Sequence, residues 1–201
     1  MKNKNWIKFV FVLCALPLCL SGCGSKQEES EELLDAFLDN AVPAYYDDDE
    51  ERVLMFEQLP MYEEDWAAYS VGERIDLDND GEREQIMDGP YGGLYLDARD
   101  QKVYVLAEGE GTAGVLSCTE YEDAVWIVHS DTTHMGRQMY WLTRYNGEGE
   151  IEDEFQLSAE YWDSQNSQYD EKSNFTFRDK KISMEEYEAL KTEIIGSRGS
   201  S

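Results

Sequence analysis

One stretch of the chain concentrates residue types that could hold a hard metal ion: Asp76-Leu77-Asp78-Asn79-Asp80-Gly81-Glu82-Arg83-Glu84. Carboxylates occupy alternate positions, a glycine follows, and Glu84 closes the stretch. Ca2+ takes about six to eight oxygen ligands, and alternate side chains on a tight loop can wrap around one centre. The expected donors are the side chains of Asp76, Asp78, Asp80 and Glu84 and the backbone carbonyl of Glu82. Gly81 permits the sharp turn. Without a cation these acids repel one another, and Arg83 is the one basic side chain within the stretch.

The loop resembles the first half of an EF-hand, but Met87 stands where that motif has its bidentate glutamate, and Gly89-Pro90 forbids an exit helix. A closer resemblance is to the strand–loop–strand calcium loops of FG-GAP and VCBS-type repeats, with the pattern D-x-D-x-D-G-x-x-[D/E]. That resemblance implies a calcium ion between two strands. It covers this loop alone, and with a single such loop a multi-bladed propeller is not expected. The missing ligand implies weak affinity, on the order of 10⁻⁴ to 10⁻³ M, as in extracellular modules.

A second grouping is His129, Asp131 and His134, in a segment expected to turn between two strands. Two imidazoles and a carboxylate could bind a transition metal or act as an acid/base pair, although their spacing matches no specific metal motif. Gly109-Glu110-Gly111-Thr112-Ala113-Gly114 has the G-x-G-x-x-G pattern but leads into a strand, not into a helix N-terminus that could take a pyrophosphate. It is a hairpin loop flanked by acids. Strand aromatics such as Trp126, Tyr140 and Trp141 are expected in the core or in cross-strand pairs, while Tyr161-Trp162 opens a polar loop.

The N-terminus carries the features of an export signal. Lys2, Lys4 and Lys8 precede the apolar run Phe9–Leu20, which is shorter than the about 20 residues a spanning helix needs. Leu20-Ser21-Gly22-Cys23 resembles the lipobox of bacterial lipoproteins. The resemblance implies cleavage after residue 22 and lipidation of Cys23, with the protein held on the extracytoplasmic face of the cell membrane. Acyl chains contribute roughly 0.8 kcal/mol per buried CH2, and two or more give stable anchoring. Of the remaining cysteines only Cys118 lies in the mature chain, so no intrachain disulfide is expected there.

These residues must be positioned by a fold of α+β class. Residues 23–29 are expected as the lipidated cysteine and a polar tether, 30–195 as a single domain with a helical part at 30–70, and 196–201 as a flexible tail. Leu33, Leu34, Phe37, Leu38 and Val42 give one helix an apolar face, from Ser30 to a stop at Pro43. Further helices are expected at Arg52–Leu59 and Glu63–Tyr69, with Tyr45–Glu51 as an acidic loop. Beyond Gly72, β-rich segments alternate with Gly and Asp turns. They predict an antiparallel sheet of about eight strands: Arg74–Leu77, Arg83–Met87, Leu94–Ala98, Lys102–Ala107, Val115–Tyr121, Ala124–Ser130, Arg137–Tyr145 and Ile151–Leu157. Phe175–Ile182 forms a further turn-containing segment. A C-terminal helix follows, with Ser183 and Glu186 as its capping box.

The formal net charge is −27, from 44 acidic against 17 basic residues, which excludes phosphate-backbone binding and so nucleic acid as a partner. The expected function is a lipid-anchored, non-enzymatic surface module with a structural Ca2+ and a cell-surface glycan or protein as ligand. The alternative is a cell-wall or extracellular hydrolase centred on the His129–His134 hairpin.

Overall fold

The computed structural model describes residues 23–47, 49–61 and 66–196, with the side chains of 23–25 and 50 left aside. The signal peptide expected at 1–22, part of the helix expected at Glu63–Tyr69 and most of the expected tail lie outside the described residues. The elements in chain order are α1 (Cys23–Leu38), β1 (Ala44–Tyr46), β2 (Asp49–Leu54), β3 (Ser70–Ile75), β4 (Glu84–Asp88), β5 (Leu94–Arg99) and β6 (Lys102–Glu108). The second half comprises β7 (Val115–Tyr121), β8 (Ala124–Asp131), β9 (Arg137–Tyr145), β10 (Ile151–Glu160), β11 (Asn174–Phe177), β12 (Lys180–Ile182) and α2 (Met184–Ile194).

The strands form two six-stranded sheets, ordered β2-β1-β6-β5-β4-β3 and β12-β11-β10-β9-β8-β7, where the sequence predicted one sheet of about eight. Strands β3 to β10 lie close to their predicted positions. Pairing is antiparallel except between β1 and β6, which run parallel. The layers stack as helix, sheet, sheet, helix. Leu34 and Phe37 of α1 pack on Met87, Leu94, Leu96 and Val103 of the first sheet. Tyr187 and Ile194 of α2 pack on Trp126, Leu142, Leu157 and Phe175 of the second. Between the sheets lie Leu77, Ile86, Tyr95 and Ala107 from one side and Leu116, Cys118 and Ile127 from the other. Strand period makes this possible, because neighbours such as Ile86 and Met87 point to opposite faces. Trp126-Ile127-Val128 of β8 is buried on both faces, as expected for an interior strand.

The helical part expected at 30–70 is largely replaced. Residues 24–29, expected as a tether, belong to α1. The helix also ends before Pro43. Asn40 takes a left-handed φ of 58°, while the Ala41 amide donates to the Ala36 carbonyl and the Asn40 amide to the Phe37 carbonyl, both at 2.8 Å. A left-handed residue closing the last turn stops a helix without help from proline. The region of the acidic loop and second helix holds β1, β2 and a short 3-10 turn, Phe56–Gln58. Tertiary pairing overrides local propensity there. Tyr46 lies under the Arg52 guanidinium at 3.5 Å, and Arg52 also pairs with Glu108 at the end of β6. Trp66 and Ala67 form a turn, not a helix. At the C-terminus the capping box is as expected. The Ser183 hydroxyl accepts from the Glu186 amide, and the Glu186 carboxylate accepts from the Ser183 amide.

Candidate metal centre

The loop joining β3 to β4 is fixed at its base by Leu77, fully buried between the sheets. The rest turns through two left-handed residues, Asn79 with φ 67° and Gly81 with φ 92°. A Cβ on Gly81 would meet nothing within 4 Å, so the backbone conformation alone calls for glycine there. Local hydrogen bonds set the carboxylates. Asp76 Oδ2 accepts from the Gly81 amide at 3.0 Å, Asp78 Oδ1 from the Asp80 amide at 3.3 Å, and Glu84 Oε2 from the Leu77 amide.

The outcome is a convergence of Asp76, Asp78 and Glu84, each with a carboxylate oxygen within 4.8 Å of the others. Asp78 and Glu84 are only 2% and 1% exposed. Asp76 Oδ1 is buried and makes no hydrogen bond to any described residue. Arg83, the one basic side chain of the stretch, forms an ion pair with Glu31 on α1. Burial, followed by repulsion from Asp80 and Asp97, pushes the Asp78 carboxyl up to about 7. Burial, followed by repulsion from Asp78, pushes that of Glu84 up to about 9.

Of the predicted carboxylate donors Asp80 sits differently, and the Glu82 side chain, whose carbonyl was the expected donor, points away from the cluster. The Asp80 carboxylate accepts from the Glu82 amide at 2.7 Å and faces the β9–β10 hairpin. The Glu82 side chain turns toward Lys26 and Glu29 of α1, where burial and Asp80 raise its carboxyl. Both line an open acidic cavity of about 1080 Å3, walled by α1 and by Glu148 and Glu150.

Sequence reasoning missed Asp97. Register pairs Gln85 with Leu96, so one step further Asp97 stands across from Glu84. Asp97 is 4% exposed and is ion-paired with Arg99, which also holds Asp47. Burial raises its carboxyl although Arg99 opposes this. The available signal was a single charge inside the buried run Leu94-Tyr95-Leu96-Asp97-Ala98.

The histidine grouping does not form a common centre. His129 Nε2 donates to the Glu108 carbonyl at 3.0 Å. The fully buried Asp131 takes His134 Nδ1 on one oxygen and Arg137 Nε on the other, each at 2.6 Å. Burial raises the Asp131 carboxyl, but the His134 and Arg137 hydrogen bonds outweigh it and hold it below the usual range. These contacts fasten the β8–β9 turn. The 109–114 loop joins β6 to β7 and is closed by the Glu110 amide on the Gly114 carbonyl at 2.9 Å, so no helix follows it. Comparison with family models, curated proteins and solved structures finds no match for this chain.

Proposed function

We propose that this protein is a lipid-anchored extracytoplasmic module whose Asp76–Glu84 loop binds one structural Ca2+, and that it serves binding or interaction at the bacterial cell surface without catalysis. The observation that carries the metal reading is the convergence of the buried Asp78 and Glu84 carboxylates with the partly buried Asp76, whose Oδ1 makes no hydrogen bond to a described residue, while Arg83, the basic side chain of the loop, pairs with Glu31 on α1. Burying carboxylates without compensation is costly, and a cation removes the cost. The donors are all hard oxygens, with no sulfur or imidazole among them, which favours Ca2+ over zinc or copper. In this reading Asp76, Asp78 and Glu84 supply carboxylate ligands, and Asp80 and the Glu82 carbonyl complete the shell from the open side. The lipid anchor at Cys23 rests on the sequence. Among the described residues no helix is long and apolar enough to cross a membrane.

Thermal unfolding of the full chain in detergent tests the metal reading. At Ca2+ about ten times Kd, binding adds about 1.4 kcal/mol, which for a chain of this size raises Tm by about 3–6 °C. Mg2+, which demands a smaller octahedral site, should do much less. Asp78→Asn should abolish the calcium response while leaving the EDTA-treated protein as stable as the wild type, or more so. An absent calcium shift in the wild type would reduce the loop to an ordinary turn.

A further inference from the structure

We infer that the Asp76–Glu84 loop is a calcium-dependent latch between the two sheets, closed through Asn79; this rests on the reading of the loop as a Ca2+ site. Strand β8 pairs with β9 only from Ile127 to Asp131. Beyond that pairing the Asn79 side chain meets the backbone of Val125. Its Nδ2 donates to the Val125 carbonyl at 3.1 Å, and the Val125 amide donates to its Oδ1 at 2.7 Å. One primary amide thus reproduces both hydrogen bonds that a neighbouring strand residue would make, but it comes from the other sheet.

The residues on either side act in the same sense. Leu77 is buried against Leu116 and Ile127 of the second sheet. The Asp80 side chain lies so near the β9–β10 hairpin that a Cβ on Gly147 would be 2.6 Å from its Cβ, so only glycine lets the hairpin close on the loop. Leu77, Asn79 and Asp80 therefore engage the second sheet, interleaved with Asp76 and Asp78, which converge on the ion. An ion that fixes Asp76 and Asp78 also fixes Asn79 on Val125. Loss of the ion removes the tie that holds Asp76, Asp78 and Glu84 together, so the loop opens more readily and withdraws the amide. Coupling of this kind is reciprocal, so docking of Asn79 must in turn strengthen calcium binding although Asn79 is no ligand.

Hydrogen exchange of the full chain in detergent, with Ca2+ or EDTA, tests this, with direct calcium binding measured on the same samples. At Ca2+ about 100 times Kd, the Val125 amide and others exposed by opening of the loop should exchange about 100-fold more slowly than in EDTA. Amides of β11 and β12, remote from the loop, should change less. Asn79→Gly keeps the left-handed backbone but removes both hydrogen bonds. It should still bind Ca2+, about 5- to 150-fold more weakly, and lose the selective slowing at Val125. Calcium binding with uniform slowing across the protein, or with Asn79→Gly behaving as wild type, would overturn the latch and leave the metal site standing. Absence of calcium binding by the wild type would overturn both. If Asn79→Gly does not fold, the wild-type contrast between Val125 and β11–β12 decides alone.

Discussion

In EDTA the protein is expected to lose several kcal/mol of stability between pH 5 and pH 9, and Ca2+ is expected to cancel that loss. The sign follows from the two buried carboxyls. In the unfolded chain they ionise near the ordinary values of about 4. In the folded protein Asp78 keeps its proton to about 7 and Glu84 to about 9. Between those limits the folded state binds more protons than the unfolded state, so stability falls as pH rises. Their stabilising contribution is complete below about pH 4 and is lost as pH climbs through the folded values. Asp131 works in the opposite direction, since its carboxyl is lowered by His134 and Arg137, but its effect falls below the ordinary carboxylate value and leaves this window untouched. In the proposed reading Ca2+ binds the ionised carboxylates, so its stabilisation should grow with pH. Urea unfolding at pH 5, 7 and 9, with Ca2+ and with EDTA, reads this directly. Metal-free stability that is flat or rising across the window would contradict it.

The second large effect concerns location. Cys23→Ala should transfer the protein from the detergent phase to the aqueous phase in a phase-partition assay and abolish acyl labelling. Two acyl chains hold a protein on a membrane; the polar face of this one, with a formal charge of −27, does not. The helix α1 begins at Cys23 and reaches the sheet through Leu34 and Phe37. The stretch from Cys23 to Ser30 therefore spans about 10 Å as helix, and with Cys23 lipidated as proposed it would set the distance of the domain from the bilayer. Equal partitioning of wild type and variant would mean that the run Phe9–Leu20 is itself the anchor.

Much of the β structure was legible in the sequence because its cause is local. Alternating apolar residues and Gly/Asp turns mark β3 to β10, and the Ser183/Glu186 pair marks the start of α2. What escaped depends on partners distant in sequence. β1 and β2 lie around an acidic run, and their strand geometry comes from the pairing of β1 with β6 and of β2 with β1. The division into two sheets follows from which faces Ile86 and Ile127 share, which no window of sequence displays. The same holds at the candidate metal centre. The D-x-D-x-D-G spacing pointed to Asp76, Asp78, Asp80, the Glu82 carbonyl and Glu84, and of their carboxylates those of Asp76, Asp78 and Glu84 converge while that of Asp80 turns to the β9–β10 hairpin. Asp97 enters through strand register, and Asn79, a spacer in the motif, is recognised only by its contact with β8. Arg83, the one basic residue of the stretch, is drawn away by Glu31 on α1, a partner that the loop's own sequence does not display.

Equilibrium dialysis of the full chain in detergent against labelled Ca2+ at pH 8 tests the metal centre most directly. One ion per chain should bind with Kd on the order of 10⁻⁴ to 10⁻³ M, and Asp78→Asn should remove that ion. No saturable binding up to about 10 mM, or binding that persists undiminished in Asp78→Asn and so belongs to the diffuse acidic surface, would contradict a calcium site in this loop.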